Sequence, residues 1–600
     1  MMKLSDYVFQ FIAEQRVRHV FLISGGGSMH LVDSLGRNKN IEYVPCQHEQ
    51  AASIAAAAYA QYTNNLGVAL VTTGPGGTNA VTGVAAAWVE SIPLMMISGQ
   101  VKRPDLAGSS GLRSLGFQEI DIVSIVKPIT KYAVTITEPE DVRFHLEKAL
   151  YAAKSGRFGP VWIDIPLDVQ AAQIDEKKLK GFTPPVSNKD SDDQLTERVV
   201  KVAELIRRAK RPVIIAGCGI KLSNAEDEFL RLAEKLKIPV LTTWKAIDLM
   251  PEDHPLFFGR PGAIGQRGAN FVQQNADLVI SIGARLDFGQ IGYSYKNFAR
   301  EAKKVIVDVD YAEIKKLKFD IEVAVCVSAD KFIQALSAQV GGMEIVGNPK
   351  WMSRCREWKQ KYPVVLSEYF EKKDYVSTYV LIDAISIELN GQDLIVPGSS
   401  GACSDIFMQA FKVKKGQRIL NMPGMGAMGF GLPSSIGACL ASGRKRTVCV
   451  NGDGGFQLNI QELSTVAKLK LPIKYFILNN DGYGSIKNTQ RNYFNGNYVA
   501  SGPDSGVVLP DMMKVAGAFG ISAVKISNQE KLGDKIKEIL SMPGPVICDV
   551  MIDPTEPTSP KLTSQVKSDG TIVSKPMEDL WPFLDREEFK ANMVIKTLNE

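Results

Sequence analysis

Nine short runs of apolar, mostly β-branched residues recur along the chain, with helical patterns between them. They fall at 19–23, 68–71, 93–97, 161–165, 212–215, 278–282, 305–309, 447–450 and 474–478. A strand with one wet face alternates apolar and polar residues. These runs are nearly continuous, as strands covered on both faces require. Strand–helix alternation of this kind builds parallel sheets with helices on each side, so the predicted class is α/β with doubly wound domains. Many of the runs end in Gly or a small polar residue. In such sheets ligands bind beyond the carboxyl ends of the strands.

The chain has 600 residues, several times the ~150 of one ordinary domain. Two polar segments, 172–196 and 340–364, read as linkers. They predict three parallel-sheet domains at 1–171, 190–340 and 365–555, with a C-terminal tail at 556–600. Seventy basic and 65 acidic residues leave a net charge of only +5. No basic stripe with interleaved aromatics is present, so nucleic acid is not an expected partner. The eight cysteines include no CxxC pair, which points to a reducing, cytoplasmic setting. The start carries Asp6 before any long apolar run, unlike a signal peptide. Two long stretches lack charge, between Glu49 and Glu90 and between Arg418 and Arg444. Gly, Pro and small polar residues interrupt both, so they read as buried walls of a site rather than membrane spans.

The strongest chemical motif follows the run at 447–450: Asn451-Gly452-Asp453-Gly454-Gly455, with Asn479-Asn480 closing the next strand. Asp453 and Asn480 then sit at the ends of adjacent strands, where their oxygens converge. A carboxylate and an amide carbonyl suit a hard cation such as Mg²⁺ that also carries phosphate oxygens. The glycines let backbone N–H groups approach a diphosphate at a helix start. Glu49 precedes an Ala-rich helix and a long uncharged stretch. By itself it fits a helix N-terminal charge as well as a carboxylate in use. Met428, within Gly424-Met425-Gly426-Ala427-Met428-Gly429, could by itself merely fill a gap.

The GDG…NN pattern resembles the signature of thiamine-diphosphate enzymes. The resemblance implies a metal held by Asp453, Asn480 and the Gly482 carbonyl. Glu49 matches the family's activating glutamate, which hydrogen-bonds the pyrimidine ring and favours its imino tautomer. Met428 matches the apolar wedge between the cofactor's two rings, with the Gly426 carbonyl and Met428 N–H on the pyrimidine. Gly74, Gly401, Ala402, Cys403, Gly452, Gly454, Gly455, Gly484 and Ser485 complete the implied cofactor contacts.

Within that family the chain is most similar to acetolactate synthases. The likeness includes Thr73-Gly74-Pro75-Gly76-Gly77-Thr78-Asn79, Glu90-Ser91-Ile92-Pro93-Leu94 and Phe117-Gln118-Glu119. It implies that Phe117 and Gln118 line the substrate pocket. The paired histidines of pyruvate decarboxylases are missing, which argues against simple aldehyde release. In the middle block, Gly217, Gly283-Ala284-Arg285, Asp308 and Asp310 resemble positions that bind FAD, a largely structural cofactor in that family. The loop after Asn480 lacks the family's Trp and offers Lys487, Asn488, Gln490 and Arg491 instead. Polar walls suit a hydroxylated acceptor, and Lys487 and Arg491 could hold phosphate. That loop, with Thr243-Trp244-Lys245-Ala246 and Ser574-Lys575-Pro576, resembles acetolactate-synthase-like proteins of surface-polysaccharide pathways.

The expected activity is therefore a carboligase that decarboxylates a 2-oxoacid donor, pyruvate, and transfers two carbons to a second carbonyl. The keto group of a nucleotide-linked sugar is one expected acceptor. An acetolactate synthase using two 2-oxoacids, a 2-oxoacid decarboxylase or C–C lyase, and a catalytically inactive regulatory subunit are the alternatives. Thiamine diphosphate, Mg²⁺ and FAD are the expected cofactors. Glu49 and the diphosphate motif lie in different blocks, so a homodimer or homotetramer with shared sites is expected.

Overall fold

The computed structural model describes residues 1–185, 192–342, 347–566 and 572–598. Parts of both candidate linkers, 186–191 and 343–346, lie outside them. The chain forms three wholly parallel sheets with helices on both faces. The first has the spatial order Glu42–Pro45, His19–Leu22, Gly67–Val71, Leu94–Gln100, Val161–Pro166, Tyr132–Thr135. The third repeats this order with Arg418–Ile419, Leu394–Pro397, Thr447–Gly452, Ile473–Asn479, Val546–Met551 and Ser522–Ile526. The middle sheet has five strands: Val240–Thr242, Pro212–Ala216, Leu278–Ile282, Lys303–Val307 and Val323–Val325. All nine apolar runs fall on strands of these sheets.

In each sheet the first strand lies between the second and the third. The winding direction reverses there, which opens a crevice at the carboxyl ends of those strands. The three crevices are flanked by 23–27 and 72–77, by 217–219 and 283–285, and by 398–401 and 452–455. Most of the sequence-predicted site residues sit at these crevices.

The first and third domains are locked by two helices, Glu49–Thr63 and Gly431–Ala441, both rich in small residues. A Cβ on Gly437 would stand 1.9 Å from the Ala55 carbonyl oxygen, so the backbones touch directly. On the other side of helix Glu49–Thr63, a Cβ on Gly67 would stand 2.0 Å from the Ala56 carbonyl oxygen. The Ala-rich sequence of this helix follows from close packing on two sides.

The stretch 340–364 carries a helix, Pro349–Lys361, capped by the Asn348 side chain. Its Trp351, Cys355 and Trp358 are buried in the core of the middle domain. The described residues after 556 form a strap across that domain. Its Met577 carbonyl accepts from Asn270 Nδ2 at 2.7 Å, and Glu578 pairs with Arg300 at 2.6 Å. Among the described residues no helix is long and apolar enough to cross a membrane.

Candidate active site

Strand Thr447–Gly452 pairs with Ile473–Asn479 so that Gly452 lies beside Leu478. Asp453 and Asn480 therefore leave the sheet side by side. Asp453 is buried. Its Oδ1 accepts from the Gly454 N–H at 2.8 Å, and its Oδ2 accepts from the N–H groups of Asn480 at 3.1 Å and Gly482 at 3.3 Å. Burial pushes its carboxyl up to about 6. Asn480 Oδ1 is buried with no hydrogen-bond partner among the described residues. Gly482 adopts φ 141° and is pressed on the Ser501 carbonyl, where a Cβ would come within 2.4 Å. An unpartnered amide oxygen beside a buried carboxylate and a fixed carbonyl loop is the donor set that a hard divalent cation takes.

The rest of this crevice converges on the same point. Gly401, at φ +74°, caps helix Ala402–Ala410, and a Cβ there would stand 3.0 Å from Ser485 Oγ. Cys403 lies buried behind this turn, its thiol pushed up to about 12 by burial. A Cβ on Gly454 would run into the Tyr483 ring at 2.5 Å, and one on Gly484 into Asn480 Nδ2 at 2.5 Å. Gly426 and Gly429 hold left-handed φ values of +60° and +90° on either side of Met428, which is 41% exposed.

Glu49 opens helix Glu49–Thr63 in the first domain, with His48 Nδ1 accepting from the Gln50 N–H at 3.1 Å. Its Oε2 accepts from Asn79 Nδ2 at 3.0 Å. Asn79 ends the short helix Pro75–Asn79, which begins after Gly74. Gly74 has φ +61°, and a Cβ there would stand 2.2 Å from the Gln118 carbonyl oxygen. Glu49, Gly74 and Gln118 are thus linked through one helical turn. Gln118 itself takes φ +63°, and Phe117 is 87% exposed. No hydrogen bond among the described residues joins Glu49 to Asp453, Asn480 or Met428.

A cavity of about 810 Å³ lies in the middle crevice. Gly283, Ala284, Arg285 and Asp308 line it. Gly217 sits just behind the wall, where a Cβ would stand 2.1 Å from the Gly283 carbonyl oxygen. Asp310 turns away to cap the next helix, its Oδ1 accepting from the Ala312 N–H at 2.9 Å, and lies 3.5 Å from Arg157. Burial pushes the Asp308 carboxyl up to about 6. Lys487 folds back to donate to the Asp481 carbonyl at 2.7 Å, while Arg491 stays on the exposed face of its helix and donates to Asn488 at 2.5 Å.

This division of labour among three domains is matched by three family models. Residues 2–125 match the thiamine pyrophosphate enzyme N-terminal TPP binding domain. Residues 199–336 match the central domain, and 399–550 the C-terminal TPP binding domain. The chain belongs to the thiamine pyrophosphate enzymes. Within them it is acetolactate-synthase-like. It is 32% identical to the acetolactate synthase large subunit of Cyanidium caldarium, over 92% of this chain and 94% of that one. The large subunit from Lactococcus lactis is 33% identical, over 95% of this chain and 96% of its own. The isozyme 1 large subunit from Escherichia coli is 32% identical, over 93% and 95%.

Several groups of this thiamine pyrophosphate enzyme carry no sequence signal. Glu462 is fully buried, and its Oε1 accepts from the Gln47 N–H at 2.8 Å, two residues before Glu49. Thr465 Oγ1 donates to the Pro45 carbonyl at 2.8 Å, so one segment of the third domain grips the turn that presents Glu49. Asp405 lines the cavity from the back of helix Ala402–Ala410; burial pushes it up to about 7, against the attraction of Lys561. Each of these acids reads in sequence as an ordinary helix-start charge.

Proposed function

We propose that this thiamine pyrophosphate enzyme is a carboligase that takes pyruvate as donor and adds the two-carbon unit to a second carbonyl compound. The observation that carries the reading is the pairing of buried Asp453, unpartnered Asn480 Oδ1 and the glycine turns around them with Glu49 on a separate domain. Asp453, Asn480 Oδ1 and the Gly482 carbonyl would hold Mg²⁺. Gly401, Ala402, Gly454, Gly455 and Ser485 would hold the diphosphate, and Gly426 and Met428 the pyrimidine. Thiamine diphosphate supplies a carbon nucleophile and an electron sink. The chain's part is to place it and to move protons: Glu49 would hold and exchange the proton on the pyrimidine ring, with Asn79 orienting its carboxylate. Gln118, fixed in a left-handed turn against Gly74, would orient the donor.

Glu49 is not bonded to the metal crevice of its own chain, and the implied contacts Phe117 and Met428 are exposed. Both features support a homodimer, or a pair of dimers, in which a second copy completes each site. FAD in the middle cavity is supported by the cavity's size, its place at the crevice, and the glycines, Arg285 and Asp308 around it. Eight free thiols suit a reducing, cytoplasmic setting.

The acceptor is a polar carbonyl compound in this reading. The helix Gly484–Tyr493 has no buried residue and presents Asn488 and Arg491, which supports an acceptor as large as a keto sugar on a nucleotide. The acetolactate synthase relatives favour a second 2-oxoacid. Mass spectrometry of products from pyruvate, with and without keto-sugar nucleotides, separates the two. A two-carbon gain on a sugar supports the first, acetolactate from pyruvate alone the second, and release of aldehyde alone overturns carboligation.

A further inference from the structure

The wall between the middle cavity and the loop 424–430 is built by one charged cluster drawn from all three domains. Glu90, from the first domain, ends helix Val81–Val89 with its side chain only 4% exposed. Its Oε1 accepts from the Gly424 N–H of the third domain at 2.5 Å. Its Oε2 lies 3.3 Å from Lys245 Nζ of the middle domain. Lys245 in turn donates to the Asn421 carbonyl at 2.7 Å, and Asn421 Nδ2 donates to the Trp244 carbonyl at 3.1 Å. Gly424 must be glycine for this contact, since a Cβ would stand 2.8 Å from Val89 Cγ1 and 2.9 Å from Glu90 Oε1.

Within the loop, Phe430 is buried and Ala427 half-buried against the core, while Met425 and Met428 are exposed. It contains glycines in left-handed conformations, which are free to move when unanchored. Its far end is pinned by Asn459 Nδ2 donating to the Gly429 carbonyl at 2.7 Å. Its near end is pinned by Glu90. A hydrogen bond from a backbone N–H to an ionised carboxylate is about twice as strong as a neutral one. Lys245 stands opposite this buried carboxylate, and removing either partner leaves the other charge uncompensated.

We propose that Glu90 is a positioning residue for the loop 424–430, with Lys245 as its counter-charge, so that this pair sets how tightly thiamine diphosphate is held. The inference rests on the reading that Gly426 and Met428 contact the cofactor. Glu90 and Lys245 would act through Gly424 and Asn421, the groups they hold.

The test is calorimetric titration of the full chain with thiamine diphosphate and Mg²⁺, with the unfolding temperature recorded for each variant. Glu90→Ala and Lys245→Met should each weaken binding about tenfold. Glu90→Gln keeps an acceptor for the Gly424 N–H and nearly the same shape, so it carries the test if the alanine variant fails to fold. The double variant Glu90→Gln with Lys245→Met removes both charges and should recover to within about threefold of wild type. Arg418→Met is the control. It breaks the pair with fully buried Asp248 at 3.2 Å in the same junction but leaves the loop untouched. It should lower the unfolding temperature and leave affinity within about twofold. Wild-type affinity in the single variants, no recovery in the double variant, or an equal loss in Arg418→Met would overturn the proposal. A wild-type protein that binds no thiamine diphosphate would instead overturn the cofactor reading beneath it.

Discussion

Replacing Gly437 with Ala should destabilise this protein, although the same change in an open helix would stabilise it. Ala exceeds Gly by about 0.5–1 kcal/mol in a helix interior. Here the new Cβ would stand 1.9 Å from the Ala55 carbonyl oxygen, so that backbone would have to retreat by more than 1 Å. It has nowhere to go, because the next carbonyl, Ala56, already abuts Gly67 on the far side. Overpacking of this kind costs about 1–3 kcal/mol or more. A net loss of about 2 kcal/mol corresponds to a fall in unfolding temperature of about 4–8 °C for a domain of this size. The same displacement moves the helix that begins at Glu49. A misplacement of about 1 Å can cost about a hundredfold in rate, so carboligation should fall further than stability at temperatures where the variant is folded. Differential scanning fluorimetry and a pyruvate-consumption assay measure the two effects. An unchanged or raised unfolding temperature with full activity would refute the account of this helix pair.

Three further outcomes follow from the geometry. Asp453→Asn should remove Mg²⁺-dependent binding of thiamine diphosphate, measured by calorimetry, while leaving the fold's circular dichroism intact. Arg285→Ala should lower the flavin recovered with the purified protein, read from its absorption spectrum, without changing Mg²⁺-dependent thiamine diphosphate affinity. Asp164 is fully buried and its carboxyl is raised to about 7 by burial, against hydrogen bonds from Ser98, Gln100 and Thr135. Its stability contribution is therefore full below about pH 4 and is lost as pH rises through about 7. Asp164→Asn removes that loss. The variant's unfolding temperature relative to wild type should move in its favour between pH 5 and pH 8, and a constant difference would contradict the assignment.

Much of the fold was legible because the buried strands are apolar without interruption, as at 68–71 and 278–282. Strands at or near the sheet edges were less so. Tyr132–Thr135 is half-buried throughout, and Ser522–Ile526 mixes exposed and buried residues, so neither carries a continuous apolar run. The strap after 556 reads as a tail because its contacts, such as Arg300 with Glu578, join positions far apart in the chain. In the site, Asp453 and Asn480 could be found because each follows a clear strand. Glu90 and Lys245 lie 155 positions apart, and Glu462 meets a turn more than 400 positions earlier. No spacing rule relates such pairs; only the packing of separate domains brings them together.

In the proposed reaction Glu49 activates the bound cofactor. The most direct measurement is the rate at which the thiazolium C2 proton of thiamine diphosphate exchanges for deuterium on the protein, followed by quenched-flow NMR. Wild type should accelerate exchange, and Glu49→Gln should slow it by about 10²–10⁴-fold, the range of positioned acid–base groups. Cofactor affinity should stay within a fewfold of wild type. Equal exchange rates in the two proteins would contradict the mechanism.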